Sequence, residues 1–261
     1  MARTFIDLSV PFEDKPTVPE MHRPQIEYRT HEQTVESFGR YHPGVTREHL
    51  PDGVAWASER VTIETHAGTH MDAPWHFHPT MDHALVPGGR KSATIDEVPL
   101  DWCLQPGVKL DFRGLPAGHV VSAEEVVREL SRIGHDLRPL DIVLVNTAAA
   151  VKYGTPEYWE SHCGMGREAT LYLLERGVRV VGTDAWGWDA PFSITAERWR
   201  QTGDNSILWE GHKAGRDIGY FQMEKLTNLD KLPPHGFTVA CFPLKVKGAS
   251  AGWTRAVAIL E

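Results

Sequence analysis

At 261 residues, with 41% hydrophobic and 24% charged side chains, the chain has the make-up of an ordinary soluble globular protein rather than a disordered or membrane one. Its 27 basic and 35 acidic residues give a formal charge of −8. That disfavours nucleic acid or an anionic membrane as partner, because such surfaces call for clustered lysine and arginine, and it leaves a small-molecule substrate as the expectation. No apolar run approaches the roughly 20 residues that span a bilayer, and the opening MARTFIDLSVPFEDK lacks the basic and apolar regions of a signal peptide, so the expected location is the cytoplasm.

In chain order, strands are predicted over Phe5 to Val10, Arg60 to Thr65, Val108 to Phe112, Asp141 to Asn146, Val178 to Asp184, Phe237 to Val246 and Trp253 to Leu260, where β-branched and apolar residues run or alternate. Helices are predicted over Ser122 to Ile133, opened by the capping box of Ser122 with Glu125 and closed by Gly134, and over Arg167 to Arg176, closed by Gly177. Segments 11–59 and 185–211 carry Pro, Gly, Trp and charged residues without sustained periodicity, and read as long loops or short helical turns. This mixture predicts an α/β fold. With no repeat, low-complexity tract or polar linker, a single domain over 1–261 is the default.

Residues 66–76, HAGTHMDAPWH, place His66, His70, Asp72 and His76 at even positions. Even positions share one face of a strand, and RVTIET before them suggests that they continue it. A helix would also pair His66 with His70, but Gly68, Thr69 and Pro74 oppose helix. Four residues of straight strand span about 13 Å, near the limit for two imidazoles on one ion, so Gly68 is expected to bend the chain and fold His66 back toward His70 and Asp72. Any one of these histidines alone reads as decoration of a polar strand end; four metal-capable side chains together read as a metal site. Trp75, inside the motif, is either a core residue or a neighbour of the site.

Downstream, His212 and Glu224 stand in GHKAGRDIGYFQMEKL, which reads as a helix or a pair of helical turns. Taken alone, they fit a surface role, with Glu224 paired to Lys225 or another base. Asp184 sits at a strand end, where a cap is as good a reading as a site. The three cysteines are too few for a disulfide framework and read as small hydrophobes; Cys163 is the one weighed as a nucleophile. The nine tryptophans, crowded at 186, 188, 199 and 209, suit packing or an oligomer interface.

HAGTHMDAPWH matches the pattern HxGTHxDxPxH of the metal-dependent cyclase family, which includes kynurenine formamidases and isatin hydrolases. IDLSVPF resembles the family's opening strand, and EKLTNLDKLPPHGFTVACFPLKVKGASAGWTRAVAIL its closing segment. The resemblance implies His66, His70 and Asp72 as ligands of a first metal, with Asp72, His212 and Glu224 available for a second, and His76 as proton donor and acceptor. It also implies a mixed sheet in a swivelling β/β/α-type fold and a homodimer or homotetramer. Family formamidases carry a tryptophan in the early loop that contacts the kynurenine ring, and the matching region around KPTVPEMHRP has none. GYFQMEKLTNL and FPLKVKGASAGW look more like isatin hydrolases, which makes Gln222 a candidate neighbour of the site.

Nitrogen and oxygen donors without thiolate suit Mn²⁺ or Zn²⁺, as one ion or two. Such an ion acidifies water and polarises a carbonyl, which points to hydrolysis of a C–N or C–O bond in a cyclic amide, formamide or lactone. Three alternatives stand beside this reading: an arylformamidase acting on N-formylkynurenine; an Fe(II) oxygenase using His70, Asp72 and His212; and a non-catalytic metal- or ligand-binding protein, against which His76 argues.

Overall fold

The computed structural model describes residues 3–16, 18 and 20–261, with only the backbone at Met21. The chain divides into two compact units: residues up to Pro11 together with Thr65–Glu261, and Phe12–Glu64.

In the first unit a mixed nine-stranded sheet carries the fold. Its strands are β1 (Thr4–Asp7), β2 (His70–Asp72), β3 (Leu104–Asp111), β4 (Ile142–Asn146), β5 (Val180–Thr183), β6 (Phe221–Glu224), β7 (His235–Ala240), β8 (Ala251–Trp253) and β9 (Val257–Leu260), in the order β1-β9-β7-β3-β4-β5-β6-β2-β8. The central run β3-β4-β5-β6 is parallel, and antiparallel strands flank it on both sides. Helices α1 (Pro74–Phe77), α2 (Ala123–Ile133), α3 (Arg167–Glu175), α4 (Phe192–Thr202) and α5 (Glu210–Lys213) complete the unit. The architecture is thus the α/β fold that the alternating elements predict, with the mixed sheet that the family resemblance implies.

Alternation along the strands divides the core between the two faces of the sheet. Val108, Leu110, Val143, Val145 and Val181 join Val126 and Leu130 of α2 and Leu173 and Leu174 of α3 in one cluster. Ile142, Leu144, Val180, Met71 and Met223 join Leu8, Phe237 and Val239 in the other. The local signals around α2 act as expected: the Ser122 side chain accepts the Glu125 N–H, the Glu125 side chain accepts the Ser122 N–H, and Gly134 closes the helix in the left-handed region at φ 66°.

Four predicted stretches differ. The strand Ser58–Thr62 does not run on into the histidines; it pairs with Gln25–Arg29 in a separate two-stranded sheet of the Phe12–Glu64 unit, and the chain turns over 65–69 before β2 begins. Within 11–59, two of whose residues (17 and 19) lie outside the described ones, the expected short helical turns are present, as the helix Val35–Tyr41 and the 3-10 turns Glu20–His22, Arg47–His49 and Pro51–Gly53, while the hairpin was not expected. In 185–211 the 11-residue helix α4 forms between Pro191 at its N-cap and Gly203 in the left-handed region, the Pro-before, Gly-after punctuation of a helix. Finally, 212–224 is half helix and half strand: α5 and a 3-10 turn Ala214–Arg216 give way to β6, all four of whose residues are buried between β5 and β2, so pairing on both edges overrides the spacing of four.

Candidate active site

The register of three short strands builds the site. β2 lies between β6 and β8, with Gln222 opposite Asp72 and Glu224 opposite His70 on one side, and Ala251 opposite Asp72 on the other. Directly opposed residues project from the same face, so His70, Asp72, Gln222 and Glu224 emerge together. Met71 and Met223 between them enter the other face's apolar cluster. Gly68, at φ 60°, provides the anticipated bend and returns His66 to the group. Asp72 Oδ1 lies 2.8 Å from His66 Nδ1 and 3.2 Å from His70 Nε2, while His70 Nδ1 faces the Gly68 carbonyl at 2.9 Å. Pro74 opens the one-turn helix that carries His76 and sets its ring 4.1 Å, centroid to centroid, from that of His66.

The second stretch arrives by a different route. Asp189 accepts the backbone N–H groups of Gly211 at 2.7 Å and His212 at 3.2 Å, and pairs with His212 Nδ1. The Gln222 amide nitrogen lies 2.7 Å from Glu224 Oε1 and 2.9 Å from His212 Nε2, and Tyr220 Oη lies 3.0 Å from Gln222 Oε1. Trp209 stacks on His212 at 4.5 Å and meets His76 edge-on at 5.1 Å. Lys225, buried in spite of its charge, places Nζ 3.3 Å from Glu224 Oε2 and 3.2 Å from the His66 carbonyl. Asp189, Trp209, Tyr220 and Lys225 were not singled out from sequence as site residues. Only the adjacency of Lys225 to Glu224 gave a signal, and their pairing is present, buried rather than on the surface.

Two sets of donors lie mutually within 4.8 Å: His66, Asp72 and His76, and His70, Asp72 and Glu224. Asp72 belongs to both, and among the described residues His212 falls in neither. By that measure neither His70, Asp72, His212 nor Asp72, His212, Glu224 forms a set, and His66 and His70 fall in different sets that meet at Asp72 Oδ1. Asp72 and His70 are buried, yet among the described residues no hydrogen bond reaches either Asp72 oxygen or His70 Nε2; the close imidazole approaches lack hydrogen-bond alignment. Buried polar groups left this way are costly, and an imidazole nitrogen beside a carboxylate is a donor set that a divalent cation satisfies.

Charge distributes unevenly over the cluster. Burial would raise the Asp72 carboxyl, but the imidazoles around it, His70 first, hold it well below the usual carboxylate range. Burial lowers His76 to about 4, so its ring is neutral at pH 7. For Glu224, burial is outweighed by Lys225, which leaves the carboxyl at about 2.

The remaining candidates fall outside this cluster. Trp75 is 40% exposed, with Lys91 Nζ 5.8 Å from its ring centre. Cys163 is buried and its thiol pushed up to about 12 by that burial, which makes it inert as a nucleophile at neutral pH. Asp184 accepts the Thr147 N–H at 2.7 Å and the Thr147 hydroxyl at 2.8 Å, as a cap does. No helix among the described residues is long and apolar enough to cross a membrane.

Short antiparallel strands of the sheet thus gather histidines and carboxylates around an unsatisfied aspartate, as a candidate metal-binding group in an α/β protein. Residues 6–190 match the family model "Cyclase", described as "Putative cyclase", and the chain belongs to that family. It is 28% identical over 197 residues to a kynurenine formamidase of Salinibacter ruber (strain DSM 13855 / M31), a stretch covering 75% of this chain and 76% of that one. Its fold is shared with an isatin hydrolase solved with the product analogue thioisatinate (TM-score 0.74, 18% identity, 99% of this chain and 92% of the other). It is shared likewise with isatin hydrolase A from Ralstonia solanacearum (TM-score 0.73, 22% identity, 99% and 92%).

Proposed function

We propose that this protein is a metal-dependent amidohydrolase that cleaves a C–N bond in a small, non-peptide substrate bearing an aromatic ring, such as a cyclic amide or an aryl formamide. The observation that carries the reading is the buried, hydrogen-bond-starved group of His70 Nε2 and both Asp72 oxygens, beside an imidazole, His76, that stays neutral at working pH. His66, His70 and Asp72 would hold a divalent cation, Mn²⁺ or Zn²⁺, since their nitrogen and oxygen donors suit either. Such an ion, when bound, acidifies water and polarises a carbonyl oxygen.

The chain's own residues do the rest. Neutral His76 accepts the proton of the attacking water and returns it to the departing nitrogen, so the ring ends each turnover as it began. Asp72 fixes His66 and His70 by contact with both. Trp209, edge-on to His76, provides an aromatic wall beside the proton carrier, which supports an aryl substrate. The formamidase among the relatives favours an aryl formamide as the second substrate class beside a cyclic amide. We place the enzyme in the cytoplasm as a homodimer or homotetramer; size-exclusion chromatography with light scattering decides the assembly.

The test is hydrolysis of isatins, cyclic imides and aryl formamides by protein stripped with chelator and then reloaded with Mn²⁺ or Zn²⁺. Activity is expected only after reloading. Full activity in the stripped protein would overturn the reading, and turnover under strict anaerobiosis removes oxygen chemistry.

A further inference from the structure

We infer that the acyl side of the substrate carries an aromatic group, seated against Trp186 in a space that Gly187 keeps open beside Glu224. The inference rests on the proposed amide hydrolysis and names the other half of the molecule cleaved: an aroyl amide, or an imide fused to an arene. Both residues lie in the loop that follows β5.

That loop runs beside the end of β6, where the Ala185 carbonyl accepts the Lys225 N–H at 3.1 Å. A Cβ added to Gly187 would meet one atom within 4 Å among the described residues, Glu224 Oε1 at 3.7 Å, an ordinary van der Waals separation. The backbone at Gly187 lies outside the left-handed region, so neither conformation nor packing calls for glycine there. Gly211 is the contrast: an added Cβ would come within 2.5 Å of the Met165 carbonyl oxygen, and close packing accounts for that glycine. Gly187 is partly exposed. Its missing side chain therefore leaves an accessible gap in front of the buried Glu224 carboxylate.

Trp186 walls that gap. Lys225 Nζ lies 4.0 Å from the centre of its ring and 3.3 Å from Glu224 Oε2, so one ammonium joins the indole to the carboxylate. Trp159 packs on the same ring at 3.4 Å between centroids. With Trp159 and the ammonium covering its faces, the part of Trp186 left exposed is its edge, and the positive edge of an indole seeks the face of another aromatic ring. Trp188 in the same loop is spent otherwise, buried in the core with its N–H on Thr170 Oγ1 at 2.9 Å. The direction of the substrate follows from the proton carrier. The departing nitrogen must face His76, and from His76 the contacts run through Trp209 to His212, whose Nε2 is 3.4 Å from Glu224 Oε1, and on to Lys225 and Trp186. The acyl group therefore points to the far end of that row, into the gap at Gly187.

The experiment compares two cyclic imides as substrates of the whole, metal-reloaded protein: phthalimide, whose acyl carbons are bonded to an arene, and succinimide, whose acyl carbons are not. The ratio of their kcat/KM values, corrected for their rates with hydroxide alone, is expected to favour phthalimide about tenfold or more. Gly187→Val fills the gap and is expected to lower that ratio about tenfold, chiefly by raising KM for phthalimide with kcat retained. Trp186→Leu should lower it about threefold, the scale of one aromatic contact. A Gly187→Val protein with the wild-type melting temperature and an unmoved ratio would overturn the inference, as would a wild type that prefers succinimide. If Gly187→Val does not fold, the wild-type ratio and Gly187→Ala decide. Turnover of isatin or formanilide without any of phthalimide would also overturn the inference, leaving amide hydrolysis intact. A reloaded wild type inert toward all four would sink the proposed function and this inference with it, so the two failures are distinguishable.

Discussion

The segments 66–76 and 209–225 meet at one centre, yet they are built on opposite principles. The first presents bare donors: buried Asp72 and His70 atoms that no described residue hydrogen-bonds. The second is saturated, each of its donor groups already held by Asp189, Gln222 or Lys225. A chain can build both because desolvating an unmet polar group costs stability, a cost tolerated only where a ligand is to restore the missing bonds. The teaching is that proximity to the centre does not by itself make a ligand; what matters is which lone pairs the protein leaves open.

The largest way to break that contrast is at Asp72. Asp72→Ala is expected to abolish both bound metal and turnover, whereas Glu224→Gln should keep the ion; equal metal loss in the two, by elemental analysis, would erase the distinction. Next comes His76→Ala, expected to cut kcat by about 10²–10⁴-fold, the usual scale of proton transfer, with metal content unchanged; a variant that lost its metal would make His76 a ligand. Asp189→Asn weakens the hold on His212 without touching an open donor, and should lower kcat/KM by about tenfold, toward the low end for such supporting partners, again with the ion retained.

The pH profile sharpens the same comparison. Burial lowers His76 from its ordinary value to about 4, and a nearby cation moves it further down, never up. Its neutral, proton-accepting form therefore persists as pH falls from 8 to 5, and the loss of kcat/KM attributable to it sets in only below about 4. An acid limb near 6.5 that vanishes in His76→Ala would contradict this. The smallest effect is expected from Trp75→Ala, half exposed beside Lys91, which should leave kcat/KM at the wild-type value in initial-rate assays.

How much of this was legible in the sequence follows the same divide. His66, His70, Asp72 and His76 lie within eleven positions, so local chain geometry suffices to join them, and the bend at Gly68 and the turn at Pro74 could be anticipated from backbone preference alone. His212 and Glu224 came only from family resemblance; the helical reading holds at His212 in α5 and fails at Glu224, because β6 owes its form to neighbours on both edges. Asp189 reaches His212 across 23 residues and Ser250 reaches His66 across 184; no periodicity encodes such meetings. Helix α4 was the avoidable miss, since Pro191 and Gly203 bracket it. Three of the four parallel core strands, β3, β4 and β5, were accessible as apolar runs, but their order was not, because strand order is decided by crossovers rather than by any one segment.

One further consequence concerns biosynthesis. Strand β2 is three residues long and is braced on its outer edge by β8; Ser250, just before β8, also accepts the Ala73 N–H at 2.8 Å and lies 2.9 Å from His66 Nε2. During translation, then, the histidine segment leaves the ribosome more than 170 residues ahead of the strand that clamps it. Nascent chains stalled before residue 250 should carry every proposed ligand and the proton carrier yet remain inert, with competence switching on only as the last few strands emerge.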